Sequence, residues 1–234
     1  MGGIDINLKE NLQFIREDIE NILIKSGRPS DDVELIAVTK TVGTEIIKES
    51  IDLGIKNIGE NRVQELERKM DEIGNKVNYH MIGHLQSNKV KYIIDRVHLI
   101  HSLDRISLAK ELDKRSSTNN SIANVLIQVN VAEEESKFGL KVSEVLPFIE
   151  KVLEFENIRI KGLMTIAPYT DDEILLRNIF RTMFKLKEDI VGRKYDNLTM
   201  DYLSMGMTND YKIAIEEGSN MVRVGSGIFG KRNY

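Results

Sequence analysis

Cysteine is absent from this 234-residue chain, which removes disulfides, thiol nucleophiles and thiolate metal ligands together. Only 3 prolines occur, and no Pro- or Gly-rich linker divides the sequence, so residues 1–234 read as one domain. No apolar run approaches the roughly 20 residues needed to span a bilayer. The opening Met-Gly-Gly-Ile-Asp-Ile has no basic segment leading into an apolar one, and position 6 is Ile where a myristoylation signal needs Ser or Thr. A membrane or secreted fate has no support, and the cytoplasm is the expected location. Excess charge of one sign is also missing. Thirty-three basic against 37 acidic residues give a net charge of -4, with no basic stripe for a nucleic acid. Two glycosylation triplets, at Asn119 and Asn197, are accidental without a secretory signal.

What is present is a repeat of secondary structure. Leu8, Leu12, Ile15, Ile19 and Ile22 mark an amphipathic helix over 4–25, stopped by Gly27 and Pro29. Short β-branched runs then alternate with segments of helical period. The strand candidates are 34–40, 55–60, 78–83, 97–102, 123–131, 158–166, 201–205 and 221–225. Helices are expected at 45–53, 63–73, 87–94, 105–115, 142–155, 173–190 and 209–217, with Ser143 or a neighbour capping the fifth and Asp171 and Asp172 favouring the start of the sixth. Eight βα units predict the α/β class and a (β/α)8 TIM barrel, with the helix inside residues 1–30 standing outside the repeat. That helix either covers the barrel bottom or packs outside.

Chemistry in such a barrel sits at the carboxyl ends of the strands. Lys40 closes the run Glu34-Leu-Ile-Ala-Val-Thr-Lys40, where desolvation favours a neutral, nucleophilic amine able to condense with an aldehyde. The competing reading is a lysine whose stem lies on the strand end while its head reaches water. After the seventh and eighth strands come Ser204-Met-Gly206-Met-Thr208-Asn209 and Arg223-Val-Gly225-Ser226-Gly227. Both loops offer backbone N–H groups, hydroxyls and small residues that admit an anion, and a helix start near Asn209 adds positive potential. They predict a phosphate site. Gly225-Ser-Gly-Ile-Phe-Gly230 matches a dinucleotide fingerprint, but no βα unit follows it.

Other chemistry-bearing residues have simpler readings. His80 and His84, and His98 and His101, lack the further ligands a metal needs, so they are read as core or pocket histidines with no metal. Glu133-Glu-Glu135 and Asp171-Asp172 are solvated charge runs, and no G-x-S-x-G elbow occurs.

A strand-end lysine, a two-loop phosphate cradle and Arg223 at the base of the second loop suit pyridoxal 5′-phosphate, an aldehyde that carries a phosphate. The motifs Ala37-Val-Thr-Lys40, Ile58-Gly-Glu-Asn61-Arg-Val-Gln-Glu65, His80-Met-Ile-Gly-His84-Leu-Gln-Ser-Asn-Lys89, Lys161-Gly-Leu-Met164, Leu203-Ser-Met-Gly-Met207 and Met221-Val-Arg-Val-Gly-Ser226 are those of a known family. From about Leu8 to Gly230 the chain resembles the pyridoxal phosphate homeostasis (YggS/PROSC) family, itself similar to the amino-terminal, fold type III barrel of alanine racemase. The resemblance implies that Lys40 forms the Schiff base. Ser204, Gly225 and Ser226 match phosphate-binding positions, with Gly206 in the same cradle, Arg223 matches the partner of the ring nitrogen, and Asn61 and His84 match pocket positions. Val42-Gly43 departs from the Lys or Arg and Pro of many relatives and leaves the first-loop geometry open.

An arginine partner donates to the pyridine nitrogen without protonating it, which handicaps carbanion chemistry. The resemblance therefore implies a monomeric carrier of the cofactor with no catalytic residue, supplying apo enzymes that depend on it. A pyridoxal phosphate-dependent amino-acid racemase is the alternative, although the chain ends at Tyr234 without the racemase's second domain. A barrel for another phosphorylated metabolite is a third reading.

Overall fold

In the computed structural model, residues 7–134 and 136–230 are described. The expected helix start at 4–6, Glu135 of the acidic run and the four carboxyl-terminal residues lie outside them. Eight parallel strands close into a barrel in sequence order, β1 completing it against β8. They are β1 (Glu34–Val38), β2 (Asn57–Glu60), β3 (Asn78–Met81), β4 (Leu99–Leu103), β5 (Ala123–Gln128), β6 (Ile158–Met164), β7 (Leu198–Met207) and β8 (Met221–Val224). The helices are α1 (Leu8–Lys25), α2 (Thr44–Asp52), α3 (Val63–Ile73), α4 (Ile106–Thr118), α5 (Val142–Val152), α6 (Glu173–Gly192), α7 (Tyr211–Glu216) and α8 (Ser226–Phe229). Between β3 and β4, where an α-helix over 87–94 was expected, Ser87–Tyr92 winds as a 3-10 helix. Among the described residues no helix is long and apolar enough to cross a membrane.

The barrel is specified by side-chain alternation. Ile36, Leu99, Leu126, Met164 and Met221 pack together as one buried cluster. The outward residues, such as Ala37, Ile58 and Leu203, join the larger core under the helices. Helix α1 lies outside the barrel beside α7 and α8. Asn11 Nδ2 donates to the Ile228 carbonyl at 3.0 Å, Tyr211 Oη donates to Asp18 at 2.7 Å, and Arg28, just beyond α1, donates to the carbonyls of Ile215 and Ser219.

Three local expectations change. Helix α5 starts after Lys141, whose amide donates to Glu144 at 2.9 Å, so Ser143 is not its cap; Asp172 does cap α6 through the Leu175 amide. Helix α7 starts at Tyr211 rather than near Asn209, because the Asp210 carboxylate turns back to accept from the Met207 amide at 2.5 Å. Strand β7 runs on to Met207 instead of stopping at 205. Ser204 and Gly206 both lie within it.

Candidate functional site

A cavity of about 1000 Å3 opens at the carboxyl ends of the strands. Lys40, Asn61, His84, Arg223, Gly225 and Ser226 all line it. Lys40 lies two residues past the last residue of β1, in a turn closed by the Val42 amide donating to the Thr39 carbonyl at 2.9 Å. Thr41, immediately after it, has φ +67°, a left-handed conformation that costs a β-branched residue energy and persists only when neighbours fix it.

Arg223 forms a buried, charged part of the wall. Its guanidinium is buried, with Nη1 donating to Ser204 Oγ at 2.6 Å and Nη2 to the Thr165 carbonyl at 2.8 Å. Burial lowers its pKa to about 10, opposed by the charge of Asp210, so it remains a cation at neutral pH. Asp210 itself is raised above the ordinary carboxylate value, chiefly by burial.

Beside it, Thr208 Oγ1 accepts from the Gly225 amide at 3.4 Å and the Gly227 amide at 3.3 Å, and lies 3.3 Å from Ser226 Oγ. Two amides and two hydroxyls thus converge where the last two loops meet, a donor set suited to an anion. A Cβ at Gly225 would stand 3.3 Å from Val38 Cβ and from its carbonyl oxygen, so a larger residue would press on β1. Thr208 was quoted in the loop motif but not counted as a site residue; its hydroxyl was the available signal.

Two expected cradle residues do not line the cavity. Ser204 is fully buried and bonded to Arg223 and to His101. Alternation along the extended β7 turns it into the barrel interior, where it supports the arginine. Gly206 has φ +97°, and a Cβ there would come within 2.7 Å of Ala214 Cβ and 2.9 Å of Tyr211 Cα. Its role is the close approach of β7 to α7.

On the opposite wall, the His84 ring stacks on Phe138 with centroids 3.8 Å apart and 18° between planes. Its pKa is lowered by desolvation and by Arg105, against the pull of Asp104. His80 and His84, four apart in sequence, separate: His84 faces the cavity and His80 the barrel interior, and no group of three metal-ligating side chains forms among the described residues.

His80 belongs to a buried chain that sequence reading did not find. Asn57 Oδ1 accepts from Asn78 Nδ2 at 3.0 Å, and Asn57 Nδ2 donates to Glu34 at 3.4 Å. The 3.2 Å contact to Asn57 Oδ1 therefore requires a proton on His80 Nε2. Burial drives the pKa of His80 to about 3 and that of His101 well below the ordinary value, so both rings are neutral. His80 Nδ1 then accepts from His101 Nε2 at 3.0 Å, and His101 Nδ1 accepts the Ser204 hydroxyl proton at 3.1 Å. Arg223, Ser204, His101, His80, Asn57 and Glu34 all donate or accept in one direction.

Comparison with known proteins agrees with this architecture. The family model described as alanine racemase, N-terminal domain, matches residues 10–233. A curated relative from Aquifex aeolicus named pyridoxal phosphate homeostasis protein is 41% identical, aligned over 98% of this chain and 100% of its own length. The structure of PipY from Synechococcus elongatus with pyridoxal phosphate bound superposes with TM-score 0.83 at 28% identity, covering 96% of this chain and 100% of that one. An alanine racemase from Clostridium difficile shares the fold at TM-score 0.73 and 16% identity, covering 96% of this chain but 58% of its own.

Proposed function

Because the chain belongs to the family of pyridoxal phosphate homeostasis proteins, we propose that it binds pyridoxal 5′-phosphate in this cavity, holds it reversibly through Lys40 and releases it to recipients. The observation that carries this reading is the convergence on one cavity of an amine, a buried guanidinium and a cluster of amide and hydroxyl donors. The cofactor supplies an aldehyde that condenses reversibly with amines. Lys40 offers the amine. Thr208, Ser226 and the amides of Gly225 and Gly227 are the phosphate donors, with Asn61 and His84 on the facing walls.

Arg223 keeps its proton on the guanidinium at neutral pH, so it donates to a ring nitrogen without protonating it. That favours holding over carbanion chemistry and supports a carrier with little or no turnover. The proposed carrier acts in the cytoplasm as a monomer that serves apo enzymes using the cofactor. The likeness to racemases at 16% identity extends to the fold. Single-enantiomer alanine and serine should keep their optical activity when incubated with loaded protein. Loss of optical activity would establish a racemase. A protein that stays colourless with pyridoxal phosphate but binds another phosphorylated metabolite would establish the third reading.

A further inference from the structure

Lys69 has no solvent exposure at all, alone among the described lysines, and a fully buried lysine is rare unless paired. Its Nζ donates to the carboxylate of Glu60 and, at 2.7 Å, to the backbone carbonyl of Thr39. Thr39 Oγ1 donates to the same Glu60 oxygen at 2.5 Å. One buried cluster therefore ties together the end of β1, the end of β2 and helix α3.

The residue after each of the two faces the cavity: Lys40 follows Thr39, and Asn61 follows Glu60. Thr39 and Glu60 turn to Lys69 of α3 while their successors turn to the cavity, continuing the alternation of β1 and β2 past the strand ends. Lys69 also grips the peptide carbonyl just before the strained Thr41 turn, where an unheld backbone would relax. We propose that the Glu60–Lys69 pair is a positioning device that sets Lys40 and Asn61 at the cavity. This inference rests on the reading that Lys40 is the amine that condenses with pyridoxal phosphate.

A structural alternative is that the pair merely joins α3 to the barrel, and replacing one partner alone would leave an uncompensated buried charge. The informative variant is therefore the neutral double substitution Glu60→Gln/Lys69→Met, with Thr39→Val as a second variant that keeps the ion pair. For each, thermal unfolding, total pyridoxal phosphate bound, the rate of visible chromophore formation and the yield of pyridoxyl group fixed on Lys40 by borohydride are measured against wild type. The expected result is a folded double variant that condenses about tenfold or more slowly, because a misplaced reacting group loses rate steeply. Its trapping yield at saturating cofactor should fall as well, and Thr39→Val should shift both in the same direction by less. Wild-type rate and yield in both folded variants would overturn the proposal. If the double variant does not fold, Thr39→Val decides alone. Failure of wild type itself to fix a pyridoxyl group on Lys40 would instead overturn the functional reading beneath it.

Discussion

His101 donates its Nε2 proton to His80 Nδ1 across 3.0 Å in the barrel interior, and that one bond fixes the direction of the whole chain from Arg223 to Asn57. A guanidinium buried without a carboxylate in contact among the described residues needs acceptors, and Ser204 supplies one only if its own proton has somewhere to go. Neutral His101 provides that place.

The pH dependence of stability follows from this neutrality. Desolvation is the main cause of both depressed pKa values, with nearby imidazole charge adding to each and Arg223 adding to that of His101. The unfolded chain binds protons near pH 6.5 that the folded chain refuses until about pH 3 at His80. Stability from this source is complete above pH 6.5 and falls as pH drops, by up to about 1.4 kcal/mol per pH unit for each histidine. Urea unfolding between pH 7 and pH 5, compared with His80→Asn, measures it. A wild-type slope equal to that of the variant would contradict neutral burial.

Ser204→Ala should expose the dependence of Arg223 on the chain. Removing the hydroxyl leaves Nη1 of the arginine and Nδ1 of His101 without partners, at a cost of about 1–3 kcal/mol. Unfolding free energy reports the loss, and binding of pyridoxal phosphate should weaken with it. An unchanged midpoint would mean that water replaces the hydroxyl freely.

Thr208→Val tests the anion cradle. The substitution keeps the shape and removes the acceptor shared by the Gly225 and Gly227 amides. The affinity for pyridoxal phosphate should fall by about tenfold, the worth of a charge-assisted hydrogen bond, while stability changes by less than about 1 kcal/mol. Titration with pyridoxal, which lacks the phosphate, should show no difference between variant and wild type. A loss of equal size for both compounds would place the phosphate elsewhere.

The barrel was legible because β-branched runs and helical stripes alternate along the whole chain, and each strand was located within a few residues, although the short α8 was not expected and Ser87–Tyr92 is a 3-10 helix. Lys40, Arg223, Gly225 and Ser226 were read from strand-end and loop positions, Asn61 and His84 from the family resemblance, and all six line one cavity. Ser204 and Gly206 were read as part of the loop cradle, whereas both lie on β7, Ser204 bonded to Arg223 and His101 and Gly206 packed against α7. The histidine chain was hidden because neutrality depends on burial, which sequence spacing does not reveal. Lys69 left a trace: it lies three residues after Leu66, on the stripe that continues through Met70 and Ile73, where a charge is out of place unless it has a buried partner.

The most direct test is a visible spectrum with borohydride reduction and peptide mapping on wild type and Lys40→Ala, each mixed with pyridoxal phosphate. Wild type should turn yellow and carry one pyridoxyl group on the peptide containing Lys40, while the alanine variant should carry none. A variant that retains the fixed chromophore in wild-type amount would contradict the account.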